Sequence, residues 1–285
     1  MTLARGGRAG QVNPTWGIPR GQCSKTPPRC CSQVAERLTN IYHGAHDSVM
    51  RQIYDDPPLE LKFPPSGPGA TKHRLKVMNG TQVYLPVRYG EPKILEMGTT
   101  ATTTLISGDV LIVANVGDSG AVLGFKSRNS YEGQWVTTRH WVMDESERKR
   151  VVDRWGKETT IGEDGYLGIK RGPWAGFELA VSRSLGHKLM SNYGVVPTPT
   201  VRKMSLRSSD TVLIVASDGV WDVMDPTEAV RHVMANLDAG MTATQAADEL
   251  VRDSISLALD LDGDADNTTA AVILLNIKDG KKESS

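Results

Sequence analysis

The chain has 285 residues, with 33 Lys plus Arg balanced by 33 Asp plus Glu. Hydrophobic residues at 39% and charged residues at 23% supply a sizeable core and exclude a disordered chain, while zero net charge argues against a polyanion surface and so against a nucleic-acid partner. The longest aliphatic runs, Val212–Ala216 and Ala270–Leu275, fall short of the roughly 20 residues of a membrane helix, and Cys23, Cys30 and Cys31 build no disulfide framework.

These features predict a chain that is soluble and intracellular, cytoplasmic or nuclear, with no membrane partner. From Met1 to Ala35 there is no acidic residue, whereas Arg5, Arg8, Arg20, Lys25 and Arg29 are basic. Residues 1–30 read as a disordered or atypical leader. Their basic character leaves organellar targeting open, although no amphipathic pattern supports it.

Order is expected from residue 31. Val34, Leu38, Ile41, Ala45, Val49 and Ile53 recur every three or four positions, the stripe of one helix. Asp55-Asp56-Pro57-Pro58 ends it, and residues 57–80 read as a loop. Thr99–Ser107, Val110–Gly117, Ala121–Lys126 and Trp135–Arg139 read as strands separated by glycine-containing turns. Asp144 with Glu147 opens a helix that closes at Gly156. Asp225-Pro226-Thr227-Glu228 opens a second helix and Thr242 with Gln245 a third. Thr211–Ser217 and Thr269–Ile277 are nearly continuous in apolar residues, which predicts strands covered on both faces. Strands and helices are grouped rather than alternating, so the fold class is α+β with largely antiparallel sheets in a single domain over 31–278, followed by a polar tail at 279–285.

Carboxylates fall at strand ends. Gly117-Asp118-Ser119-Gly120 is a turn between two apolar strands, Ser217-Asp218-Gly219 follows Val-Leu-Ile-Val-Ala, and Asp266-Asn267 precedes the last strand. Several such oxygens brought together repel one another unless a hard cation lies between them, and Mg²⁺ or Mn²⁺ suits that donor set. Asp260, Asp262, Asp264 and Asp266 alternate like a calcium loop, but Ala265 and Ala271 replace its required Gly and Glu, so that motif is rejected. Asp222 reads as structural, and His140 and His187, without a partner cluster, read as surface or packing residues.

Gly98-Thr-Thr-Ala101, Val113-Ala-Asn-Val-Gly-Asp-Ser119, Leu179-Ala-Val-Ser-Arg-Ser-Leu-Gly186, Ala216-Ser-Asp-Gly-Val-Trp-Asp222 and Asp266-Asn267 occur in the order seen in the protein phosphatase 2C family, the metal-dependent (PPM-type) Ser/Thr phosphatases. The resemblance covers roughly residues 31–277. It implies an antiparallel β-sandwich flanked by helices on both faces and hydrolysis of phosphoserine and phosphothreonine in protein substrates, with Mg²⁺ or Mn²⁺ as cofactor. Carried over by position, Asp218 and Asp266 resemble ligands of one core metal, and Asp118 a ligand of an additional one shared with Asp218. Gly117, Ser119, Gly219 and Asn267 lie beside those ligands. The segment with Gly162, Gly165, Gly168 and Gly172 resembles the family's flap.

The departures are equally specific. No Asp-Gly-His-Gly-Gly occurs in the chain, so the family's bridging Asp and proton-donating His have no counterpart, and the early phosphate-binding Arg is likewise unmatched. No catalytic residue is therefore assigned. The family's Asp-His-Lys-Pro appears as Arg139-His140-Trp141-Val142, its Arg after Gly-Asp-Ser as Gly120, and its Asp after Leu-Gly as His187. Loss of a proton donor or an oxyanion-binding group costs roughly 10²–10⁴-fold in rate each, so weak or absent activity is expected. The alternatives are a catalytically inactive, phosphoprotein-binding pseudophosphatase and a product whose longer form is active. Missing opening strands would leave sheet edges for a partner chain to cover.

Overall fold

A computed structural model describes residues 27–63, 71–87 and 92–277. Most of the leader and the polar tail lie outside the described residues. Helix α1 (Pro27–Tyr54) begins four residues before the expected start and carries the apolar stripe. The expected loop over 57–80 is instead largely a sheet: β1 (Glu60–Phe63), β2 (Thr71–Met78), β3 (Thr81–Pro86) and β4 (Lys93–Ile94) pair antiparallel in that order. The alternation of charged and apolar residues in Lys-His-Arg-Leu-Lys-Val, a period of 2, is the signal that the loop reading passed over.

The centre of the molecule is a sandwich of two antiparallel sheets. One orders β14 (Thr200–Ser205), β7 (Val110–Val116) and β6 (Ala101–Ser107). The other orders β16 (Ala270–Leu274), β15 (Asp210–Ala216), β8 (Gly120–Ser127) and β9 (Ser130–Trp135). Alternation along each strand assigns its two faces. Leu111 and Val113 of β7 meet Ala121 and Leu123 of β8 and Leu213 of β15 between the sheets. On the outer face of the second sheet, Val122, Val212 and Ile214 pack against α3 (Asp218–Trp221), α4 (Pro226–Asp238) and α5 (Ala243–Asp262) through Val220, Val230, Val233 and Leu250. Ala114 and Val116, outward on the first sheet, meet Leu38, Tyr42 and Ala45 of α1. The Tyr42 hydroxyl fixes that helix to the sheet, at 2.8 Å from the Ala114 carbonyl and 3.0 Å from Thr103 Oγ1. Helix, sheet, sheet, helix is the layering expected.

All three predicted caps form. Asp144 accepts from the Ser146 and Glu147 amides at the start of α2 (Glu145–Trp155), Asp225 from Thr227 and Glu228, and Thr242 with Gln245 closes a full capping box. One strand expectation is corrected. Residues 136–139 are not a strand, because β9 precedes them and the chain then leaves the sheet toward α2. Strand β16 is an edge strand, yet both of its faces carry packed residues as expected, Ala270 and Val272 toward the helices and Ile273 and Leu275 between the sheets, with Leu274 exposed.

Between α2 and β14 lie β10 (Thr159–Ile161), β11 (Leu167–Ile169) and β12 (Glu178–Leu179), an antiparallel sheet, and then β13 (Leu185–Gly186), which pairs with β5 (Gly98–Thr99). Leu167 and Ile169 share a buried cluster with Val142, Val151, Met190 and Val195. The expected glycine-rich flap is therefore a packed small sheet with a turn at its tip. None of the helices in the described residues is long and apolar enough to cross a membrane.

Candidate functional site

Strand register brings the acidic motifs together. Ala216 at the end of β15 pairs on one side with Gly120, the start of β8, and on the other with Ala270, the start of β16. Asp118 lies two residues before Gly120, Asp218 two after Ala216, and Asp266 four before Ala270. All three line one cavity of about 400 Å³ at this end of the sandwich. Asp222, Asp164 and Arg139 also border it, with Trp141 and Tyr166 as its aromatic walls.

The Asp118 turn is tightly held. Gly117 has φ +98°, and a Cβ there would lie 2.3 Å from Thr100 Cγ2, so both conformation and space require glycine. Its amide donates to His140 Nδ1 at 3.1 Å, and its carbonyl accepts from the His140 amide at 3.0 Å and from Asn115 Nδ2 at 3.2 Å. Because Nδ1 accepts, the ring proton is on Nε2 and is donated to Thr200 Oγ1 at 2.8 Å. Burial, aided by the nearby Arg183 charge, lowers the His140 pKa to about 4, which keeps the ring neutral at pH 7. His140 is thus a fully buried residue that orients the carboxylate turn, not a surface histidine. His187 has φ +53° and is 2.7 Å from Ser184 Oγ, consistent with packing. Ser119 hydrogen-bonds Thr100 at 2.8 Å. At Gly120, where the family carries Arg, a Cβ would meet Thr137 Oγ1 and Trp135 at 2.8 Å, so Trp135 fills the space a longer side chain would need.

Asp218 opens the short helix α3 behind Trp221, whose indole donates to the Ala216 carbonyl at 2.9 Å and stacks edge-on against Trp135. Burial, then repulsion from Asp118, Asp266 and Asp222, raises the Asp218 pKa to about 6, and burial raises Asp118 as well. Gly219 donates its amide to Asp218 Oδ1, and Asn267 its own to Asp266 Oδ1. Of the flap glycines, only Gly165 reaches the cavity, in a turn closed by the Gly162 amide and the Tyr166 carbonyl at 2.9 Å; Gly168 lies in β11, away from it.

Residues 74–259 match the family described as Protein phosphatase 2C, well over half of the chain. The chain belongs to the protein phosphatase 2C family. It is 36% identical over 179 residues to "Probable protein phosphatase 2C 59" of Oryza sativa subsp. japonica, covering 62% of this chain and 47% of that protein. It is 32% identical over 194 residues to "Protein spalten" of Dictyostelium discoideum, covering 65% of this chain and 18% of that protein. The chain thus spans about half the length of the plant relatives it matches. The serine-threonine phosphatase 2C of Toxoplasma gondii superposes with a TM-score of 0.59 over 88% of this chain and 72% of that one, at 19% identity, a likeness of fold.

Protein phosphatase 2C enzymes depend on Mg²⁺ or Mn²⁺. Five aspartates and one arginine line the cavity, and the burial and mutual repulsion that together raise Asp218 are the burden a hard cation relieves. Among the described residues no three His, Cys, Asp or Glu side chains enclose an ion by themselves. The donor set therefore fits a cation held through one or two carboxylates and several waters, the usual manner of Mg²⁺. The sequence reading gave His140, Asp222 and Arg139 no place in the site. Their only signal was position within family motifs, since their roles depend on contacts across the fold.

Proposed function

We propose that this chain carries the carboxylate part of a metal-dependent protein Ser/Thr phosphatase site, acting on phosphoserine and phosphothreonine in proteins. The observation that carries this reading is the meeting of Asp118, Asp218 and Asp266 at adjacent strand ends in one cavity. Asp218 and Asp266 would hold Mg²⁺ or Mn²⁺, with Asp118 on the neighbouring wall. When bound, the ion supplies a Lewis acid for phosphoryl oxygens and a water of lowered pKa. Trp141 and Tyr166 give the cavity aromatic lining, and His140 with Asn115 holds the Asp118 turn through hydrogen bonds to Gly117.

The chain as it stands contains no Asp-Gly-His-Gly-Gly, and hydrolysis by it is impaired. With millimolar Mn²⁺ it is expected to hydrolyse p-nitrophenyl phosphate and a phosphothreonine peptide at least ~10²-fold more slowly than an intact family enzyme, the effect of losing one proton donor or phosphate-binding group. Asp218→Asn removes what remains. Turnover at the intact enzyme's rate would refute the impairment, and a residual rate untouched by Asp218→Asn would refute the metal assignment. A second reading, a phosphoprotein-binding module without turnover, is favoured by the Arg139–Asp222 ion pair within the cavity. Peptide binding with no hydrolysis would select it.

A further inference from the structure

We propose that Arg139 is a tethered cation of the acidic cavity, neutralising its Asp222 and Asp118 side and leaving Asp218 and Asp266 as the place for a single divalent ion. This deepens the metal-site reading above and rests on it. Arg139 Nη1 pairs with Asp222 Oδ1 at 2.7 Å, and the guanidinium lies 4.6 Å from the centre of the Trp141 ring. Its side chain is 35% exposed, yet Nε is buried and has no hydrogen-bond partner among the described residues, so the head group is drawn to the cavity by charge and stacking. The backbone beneath it is fixed, because the next residue, His140, exchanges two hydrogen bonds with Gly117 beside Asp118.

An arginine keeps its charge at every accessible pH and cannot be displaced by diffusion as a bound ion can. Arg139 lines the same cavity as Asp118 and Asp222, so its fixed positive charge offsets theirs on that side. A hard cation entering on that side would meet a guanidinium already paired with one carboxylate. The residue type at this position, an Asp in the family, thus decides how many divalent ions the cavity admits.

The test is Mn²⁺ titration of the full chain by electron paramagnetic resonance, reading ions bound per chain and their affinity, with no substrate present. The wild type is expected to bind one Mn²⁺, lost in Asp218→Asn. Arg139→Asp is expected to bind a second ion, and Arg139→Gln to tighten Mn²⁺ binding roughly tenfold, since affinity follows the charge of the ligand set. Arg139→Lys, which keeps the charge, is expected to match the wild type. Thermal melts of each variant check folding, and the conservative Gln and Lys pair decides the matter if the Asp variant unfolds. Two ions in the wild type, no Mn²⁺ uptake by any form, or equal number and affinity in wild type and Arg139→Gln would overturn the proposal. Because the readout is metal uptake, absence of phosphatase activity leaves it standing.

Discussion

Replacing Glu147 by glutamine removes a charge that the fold has buried on purpose of contact rather than capping. Glu147 follows the N-cap of α2, yet its side chain is only 2% exposed and turns inward. Arg183 reaches both carboxylate oxygens, Arg150 Nη2 donates at 2.8 Å, and Ser182 Oγ at 2.8 Å. Burial pushes this carboxyl up, but the hydrogen bonds and charges of Arg183 and Arg150 outweigh it and hold the pKa at about 2 against an ordinary 4.5. At 1.36 kcal/mol per pH unit, that difference ties about 3 kcal/mol of folding to the ionised form. Breaking a buried ion pair by removing one partner costs roughly 3–5 kcal/mol, a consistent figure, because Arg183 and Arg150 are left only 17% and 26% exposed without their counter-charge. A depressed pKa gives stability that is complete above about 4.5 and lost as pH falls toward about 2. Urea melts of wild type and Glu147→Gln at pH 7 and at pH 3 read this directly. The gap is expected to be about 3 kcal/mol at pH 7 and to shrink clearly at pH 3. An equal gap at both values, or none at pH 7, would refute the electrostatic argument.

Other outcomes follow from single contacts. His140→Ala leaves the Gly117 amide and Thr200 hydroxyl without their partner, and is expected to lower stability by about 1–3 kcal/mol in denaturant melts. Trp221→Phe keeps an aromatic side chain but loses the indole N–H bond to the Ala216 carbonyl, an expected loss of at least about 1 kcal/mol that thermal unfolding can measure. Gly117→Ala forces a side chain into a left-handed residue and against Thr100, so a drop of about 1–3 kcal/mol is expected in the same melts.

Local rules carried much of this molecule. The caps at Asp144, Asp225 and Thr242, the α1 stripe and the apolar runs of β7, β8 and β15 are set by near neighbours, so they were legible in the sequence. So was the family, because five short motifs in order are specific. The loop reading over 57–80 failed where charged residues hid a period-2 pattern, and the flap became a sheet because Leu167 and Ile169 find a core supplied by distant segments. Asp118, Asp218 and Asp266 could be named as candidates from the chain, but their meeting depends on Ala216 pairing with both Gly120 and Ala270. Glu147 carried the mark of a capping residue and turned to Arg183, 36 positions away. Arg139 looked like drift in a motif until the fold set it beside Asp222. Sequence periodicity encodes which face of an element is buried; only long-range strand register and side-chain packing decide which charges share a cavity.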